Sequence, residues 1–135
     1  MSFVRAIAGR YVAGETHEEA LVVVKELNKK GFSATLDILG EHTKTAEAAV
    51  AITDQYAGLY EEIKKQGLDC NLSIKPTHIG LDIGENCVGE NMMKLLKKAA
   101  KTDNFLRIDM EDSTLTDQTI ELWNHCQMDY LKVGI

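Results

Sequence analysis

Asn71-Leu72-Ser73-Ile74-Lys75-Pro76 reads as a short strand closed by a proline. After the loop 77–84 come Val88, Met92, Leu95, Leu96 and Ala99 at helical spacing, and then Phe105-Leu106-Arg107-Ile108-Asp109, a second strand. The hydrophobic period switches from 2 to 3.6 and back within this stretch, which is the pattern of parallel strands joined by helical crossovers.

The same alternation extends in both directions. Upstream, Phe32 to Leu39 predicts a strand that stops at Gly40-Glu41, and a helix runs from about Thr45 to Gln66 with Ala49, Thr53, Tyr56, Ala57 and Tyr60 on one face. Before that, Thr16 and Glu19 form a capping box. They open a helix with Ala20, Val23, Val24 and Leu27 as its apolar stripe, preceded by the short apolar run Arg10-Tyr11-Val12-Ala13. Downstream, a helix starts near Thr114–Thr116 with Leu115, Leu122, Trp123 and Cys126 inward, and Leu131 to Ile135 begins a further strand. Four strand–helix units fit either an open doubly wound sheet or a (β/α)8 barrel. No GxGxxG or GxxxxGK[ST] follows any strand, which removes the usual nucleotide-binding reason for the open sheet. The expected fold is α/β, the first half of a TIM-type barrel, with residues 1–135 as a single incomplete barrel domain.

Composition narrows the function classes. Twenty-one acidic residues against fifteen Lys and Arg leave a net charge of −6, a poor balance for a nucleic-acid or anionic-membrane surface. Lys94, Lys97, Lys98 and Lys101 have helical spacing and read as a solvated helix face. Cys70, Cys87 and Cys126 are odd in number and form no CxxC pair, so a disulfide framework is not expected. The four histidines show no metal-ligand spacing, and no metal site is expected. Residues 1–13 are too short, and too interrupted by Arg5 and Arg10, for a membrane span or signal peptide. A cytoplasmic chain without an integral membrane segment is the expectation.

Three of the strands end in ionisable groups: Asp37, Lys75, and Arg107 with Asp109. Such charges are costly in a buried parallel strand unless they pair or meet a polar ligand. In a βα barrel the C-terminal strand ends are where active sites form. Carboxylates and an ammonium converging there suit a small zwitterion. The alternative is an ion-pair ring, Asp37 to Arg107 or Lys75 to Asp109, that only fixes strand register, although strand-end charges in α/β folds lean towards sites. Glu15 and Glu41 precede helix starts and read as capping carboxylates. Lys75 admits a further chemistry, a Schiff-base aldolase, although neighbouring carboxylates would hold its amine protonated. Open strand edges and an uncovered inner face admit a non-catalytic, self-associating half-barrel.

The strings Arg10 to Thr16 (RYVAGET), Ala34 to Glu41 (ATLDILGE), Ser73 to Asp82 (SIKPTHIGLD) and Phe105 to Ser113 (FLRIDMEDS) resemble, in order and spacing, the monofunctional bacterial proline dehydrogenases. The resemblance runs from about Arg10 to Ile135. It implies an FAD-dependent oxidation of L-proline to 1-pyrroline-5-carboxylate on a distorted barrel, with electrons passing to a quinone. It further implies that Lys75 binds the substrate carboxylate, that Asp109 is an active-site residue, that Met110 contacts the flavin and that Asp37 supports the site by ion pairing. Pro76 and His78 stand where the family motif would carry Leu and Gln. Most flavin contacts and an arginine pair of the carboxylate clamp belong, in the family, to later elements absent after Ile135. The expectation is therefore an N-terminal fragment, inactive by itself and holding little flavin.

Overall fold

The structure is a computed structural model that describes residues 12–135. Helix α1 (His17–Lys29) opens as the capping box requires. Thr16 Oγ1 accepts from Glu19 N–H at 3.3 Å, and the Glu19 carboxylate accepts from Glu15 N–H at 2.8 Å. Its buried face is Leu21 and Val24, one position round from the expected stripe; Val23 is exposed. The shift follows from Asn28, on the same face one turn further along. Its side-chain amide donates to the Phe32 and Asp69 carbonyls at 2.8 and 3.0 Å and accepts from Asp69 N–H at 2.9 Å, which sets how the helix meets the sheet.

Strand β1 (Ala34–Leu36), helix α2 (Ala46–Gln66), strand β2 (Cys70–Ile74), helix α3 (Glu85–Thr102), strand β3 (Leu106–Ile108), a 3₁₀ turn (Ser113–Leu115), helix α4 (Thr116–Asp129) and strand β4 (Val133–Gly134) complete the described chain. Thr45 caps α2 by accepting from Ala48 N–H at 3.2 Å, and Gly67 closes it at φ +64, a left-handed turn that glycine enters without steric cost. All pairings are parallel and the strand order is β1-β2-β3-β4.

The expected strand at residues 10–13 falls partly outside the description. Arg10 and Tyr11 lie beyond the described residues, and Val12 and Ala13 are not in a strand. The strand expected over 32–39 is only 34–36 long, because pairing with β2 ends at Leu36↔Leu72. Asp37 is therefore just past its strand rather than inside it.

The register separates two faces. Leu36, Leu72, Leu106 and Val133 lie side by side, with Ile74 beside Ile108. They pack under the helices with Tyr56, Tyr60, Ile63, Met92 and Leu95 in one core. The alternate positions Thr35, Asn71, Ser73 and Arg107 face the other way. A doubly wound sheet has helices on both faces and a strand order that reverses. Here the order is sequential and the helices pack with the strands in one core on a single face, as in part of a closed barrel with its outer ring of helices. Helices α2 and α3 pack together, and Lys94–Asp54 and Lys98–Glu61 ion pairs tie them. Two lysines of the basic run thus serve interhelical contacts.

Candidate active site at the strand mouth

Beyond the C-terminal end of the sheet, the alternation carries on for one more residue in each of three strands. Continuing the register past Leu36↔Leu72 sets Asp37 level with Ser73, and past Ile74↔Ile108 it sets Lys75 level with Asp109. Asp109 N–H donates to the Ile74 carbonyl at 3.0 Å, which extends the pairing of β2 and β3. The result is one cluster. Lys75 Nζ stands 2.5 Å from Asp37 Oδ2 and 3.7 Å from Asp109 Oδ2. The Ser73 hydroxyl bonds the other Asp109 oxygen.

These side chains are only 24–29% exposed. Burial works to lower the Lys75 pKa, but the bond to Asp37 and the charges of Asp37, Asp109 and Glu111 outweigh it, and the net shift is upward. The ammonium is held protonated. That disfavours the Schiff-base reading, which needs a free amine.

A second layer holds the first. Tyr56, fully buried on α2, donates its hydroxyl to Asp37 Oδ1 at 2.9 Å and accepts from Ile38 N–H at 3.1 Å. Burial, and then the Asp37 charge, push the Tyr56 hydroxyl pKa upward, so it remains a donor. Glu111 is clamped by Thr77, whose N–H and hydroxyl donate at 3.0 and 2.5 Å. The segment 77–81 after Lys75 is buried throughout. In it, His78 is 5% exposed, stacks edge-on against Tyr56 at 6.4 Å, and has no partner for Nδ1.

Of the residues singled out by sequence, Asp37, Lys75 and Asp109 come together, and Met110 follows at 48% exposure. Arg107 does not join them. Its guanidinium lies over the Phe105 ring at 5.8 Å. Of the two expected pairings, Lys75–Asp109 is present at 3.7 Å, while Asp37 pairs with Lys75 and not with Arg107. Glu41 does not cap a helix either, since α2 begins at Ala46 and Thr45 is its cap. Ser73, Thr77 and Tyr56 were not singled out as site residues. Ser73 could have been, because it shares a strand face with Lys75. Tyr56 carries no such signal, because its spacing is that of an ordinary buried helix face.

A sequential parallel sheet with its charged residues gathered past the C-terminal strand ends defines a barrel-type α/β chain, with this cluster as its candidate site. The chain matches the proline dehydrogenase family over residues 20–134. It is 35% identical over 127 residues to proline dehydrogenase 1 of Bacillus subtilis (strain 168), covering 94% of this chain and 42% of that protein. To the proline dehydrogenase of Deinococcus radiodurans it is 33% identical over 120 residues, covering 85% of this chain and 38% of that one. Its fold is similar to the crystal structure of proline utilization A from Bdellovibrio bacteriovorus inactivated by N-propargylglycine. The TM-score is 0.82 at 22% identity, over 92% of this chain and 16% of that one.

The chain belongs to the proline dehydrogenase family. It spans 42% of the length of the Bacillus relative and 38% of the Deinococcus one. Among the described residues, no helix is long and apolar enough to cross a membrane.

Proposed function

We propose that residues 1–135 act as one domain that forms the amino-acid-binding part of an FAD-dependent proline dehydrogenase, oxidising L-proline to 1-pyrroline-5-carboxylate in proline catabolism. The observation that carries this reading is the Lys75 ammonium held between Asp37 and Asp109 at the strand mouth, in a chain of this family. Lys75 receives the proline carboxylate as a charge-assisted partner. Asp37 keeps the ammonium aimed, and Asp109, fixed by Ser73, is the catalytic carboxylate beside the ring nitrogen. Oxidation removes a hydride from the ring carbon next to nitrogen and a proton from the nitrogen itself. The acidic surroundings of Lys75 suit a substrate that brings a cationic nitrogen with its carboxylate.

Bound FAD would supply the hydride acceptor. The residues present fit part of that group: Met110 offers an exposed thioether next to Asp109, a soft contact for a flat aromatic ring. A quinone acceptor and a cytoplasmic location belong to the same family-based reading. Given the share of its relatives that it spans, the chain alone is expected to retain little flavin, and stoichiometric FAD on the purified 135 residues would contradict this. The test of function is L-proline binding to the 135-residue chain, measured by calorimetry, in the parent and in Lys75→Met. Loss of a charge-assisted contact predicts a Kd for L-proline raised about tenfold or more. An unchanged Kd would remove Lys75 from the substrate site.

A further inference from the structure

Two tyrosines of α2 occupy the same buried face, one turn apart, and do different things. Tyr60 donates its hydroxyl to the Phe105 carbonyl at 3.2 Å, a bond between helix and sheet with no charged partner. Tyr56 instead reaches the segment after β1, where it serves two consecutive residues, accepting from Ile38 N–H and donating to Asp37 Oδ1. The remaining oxygen of that carboxylate is the one that meets Lys75.

We propose that Tyr56 is a positioning residue for the Lys75 ammonium, acting through Asp37. By occupying Oδ1 and satisfying Ile38 N–H, it leaves the Asp37 carboxylate turned with Oδ2 toward the lysine. Without the hydroxyl, a donor and an acceptor on adjacent residues lose their partners together. Buried polar groups re-pair where they can, and the nearest repair is for the Asp37 carboxylate to fold back onto Ile38 N–H. That movement takes Oδ2 away from Lys75 and leaves the ammonium with Asp109 alone, at 3.7 Å. The edge-on His78 ring at 6.4 Å packs the Tyr56 ring in place. The inference deepens the reading of Lys75 as the substrate anchor, yet its test needs no substrate.

An amine reacts with acetic anhydride only when unprotonated, so acetylation rates read by peptide mass mapping report how firmly each lysine is held as an ammonium. In the 135-residue chain, Tyr56→Phe is expected to raise the Lys75 rate about three- to tenfold relative to exposed Lys30 and Lys97, the scale of one ordinary hydrogen bond, since Asp109 still faces the ammonium. Asp37→Asn should raise it at least as much. The double variant should add nothing further, because both changes act on one interaction. Tyr60→Phe, an equally buried hydroxyl lost from the same helix, should leave Lys75 unchanged. An unmoved Lys75 in Tyr56→Phe, an equal rise in Tyr60→Phe, or a double variant that sums the two singles would overturn the proposal. Protection of Lys75 by added L-proline is a separate arm. Absence of protection alongside the Tyr56→Phe effect would refute the proline reading and leave the positioning role standing.

Discussion

The backbone of Gly40 lies directly against the imidazole of His78: a Cβ at position 40 would stand 2.5 Å from His78 Nε2. Gly40 also sits at φ +143, a conformation L side chains rarely adopt. Both facts place the turn after β1 on top of the buried segment that follows Lys75. Gly40→Ala is therefore expected to cost about 2 kcal/mol or more of unfolding free energy, by strain and by displacement of the ring. Urea denaturation measures it, and a loss below about 0.5 kcal/mol would mean the contact is easily relaxed.

His78 also predicts the pH dependence of stability. Its burial lowers its pKa from the ordinary 6.5, with Asp37 opposing that shift and Lys75 adding to it. A histidine kept neutral in the folded state is protonated more readily when the chain unfolds. Its contribution is thus present above pH 6.5 and lost as pH falls below that value. The exposed His42 is shifted up by its bond to Asp82, so its small contribution has the opposite sign and fades as pH rises. Urea midpoints between about pH 7.5 and about pH 5 should fall less steeply in His78→Gln than in the parent chain. Equal slopes would show that His78 does not titrate in this range.

Much of this architecture is legible in the order of the elements, because helical and strand periodicities are long-range averages that survive local error. Boundaries are less so. The strand expected through Leu39 stops at Leu36 because Asp37 and Ile38 leave the sheet to meet Lys75 and Tyr56. The α1 stripe is displaced by one position by the tertiary bonds of Asn28, which no window of sequence contains. Asp37, Lys75 and Asp109 stand out because charges are rare in buried strands. Their partners Ser73 and Tyr56, and Thr77 with its bonds to Glu111, do not, since a serine, a threonine and a helix-face tyrosine are ordinary until the fold brings them to a carboxylate. Alternation sets Arg107 on the same sheet face as Asp109, yet its guanidinium lies over the Phe105 ring instead of pairing with Asp37.

Edges bear on behaviour in solution. Among the described residues, β1 and β4 each pair on one side only, and β4 is two residues long. Thr35, Asn71 and Arg107 lie on the sheet face turned away from the apolar core. Unpaired strand edges recruit other strands. The weight-average mass of the isolated chain by light scattering should therefore rise with concentration. A constant monomer mass at the highest concentration attainable would show that the edges are protected.

The central claim is that Asp37, Lys75 and Asp109 form the end of a site that takes the carboxylate of proline. The most direct measurement is a side-chain and backbone NMR titration of the chain with L-proline, with cyclopentanecarboxylate, which keeps only the carboxylate, and with pyrrolidine, which keeps only the ring amine. The account predicts saturable shifts at Lys75, Asp37 and Asp109 with proline and at Lys75 and Asp37 with cyclopentanecarboxylate, those of Asp37 being abolished in Lys75→Met. Pyrrolidine should move the Asp109 signals and not those of Lys75. Proline shifts confined to residues away from 37, 75 and 109, or shifts that persist unchanged in Lys75→Met, would contradict it.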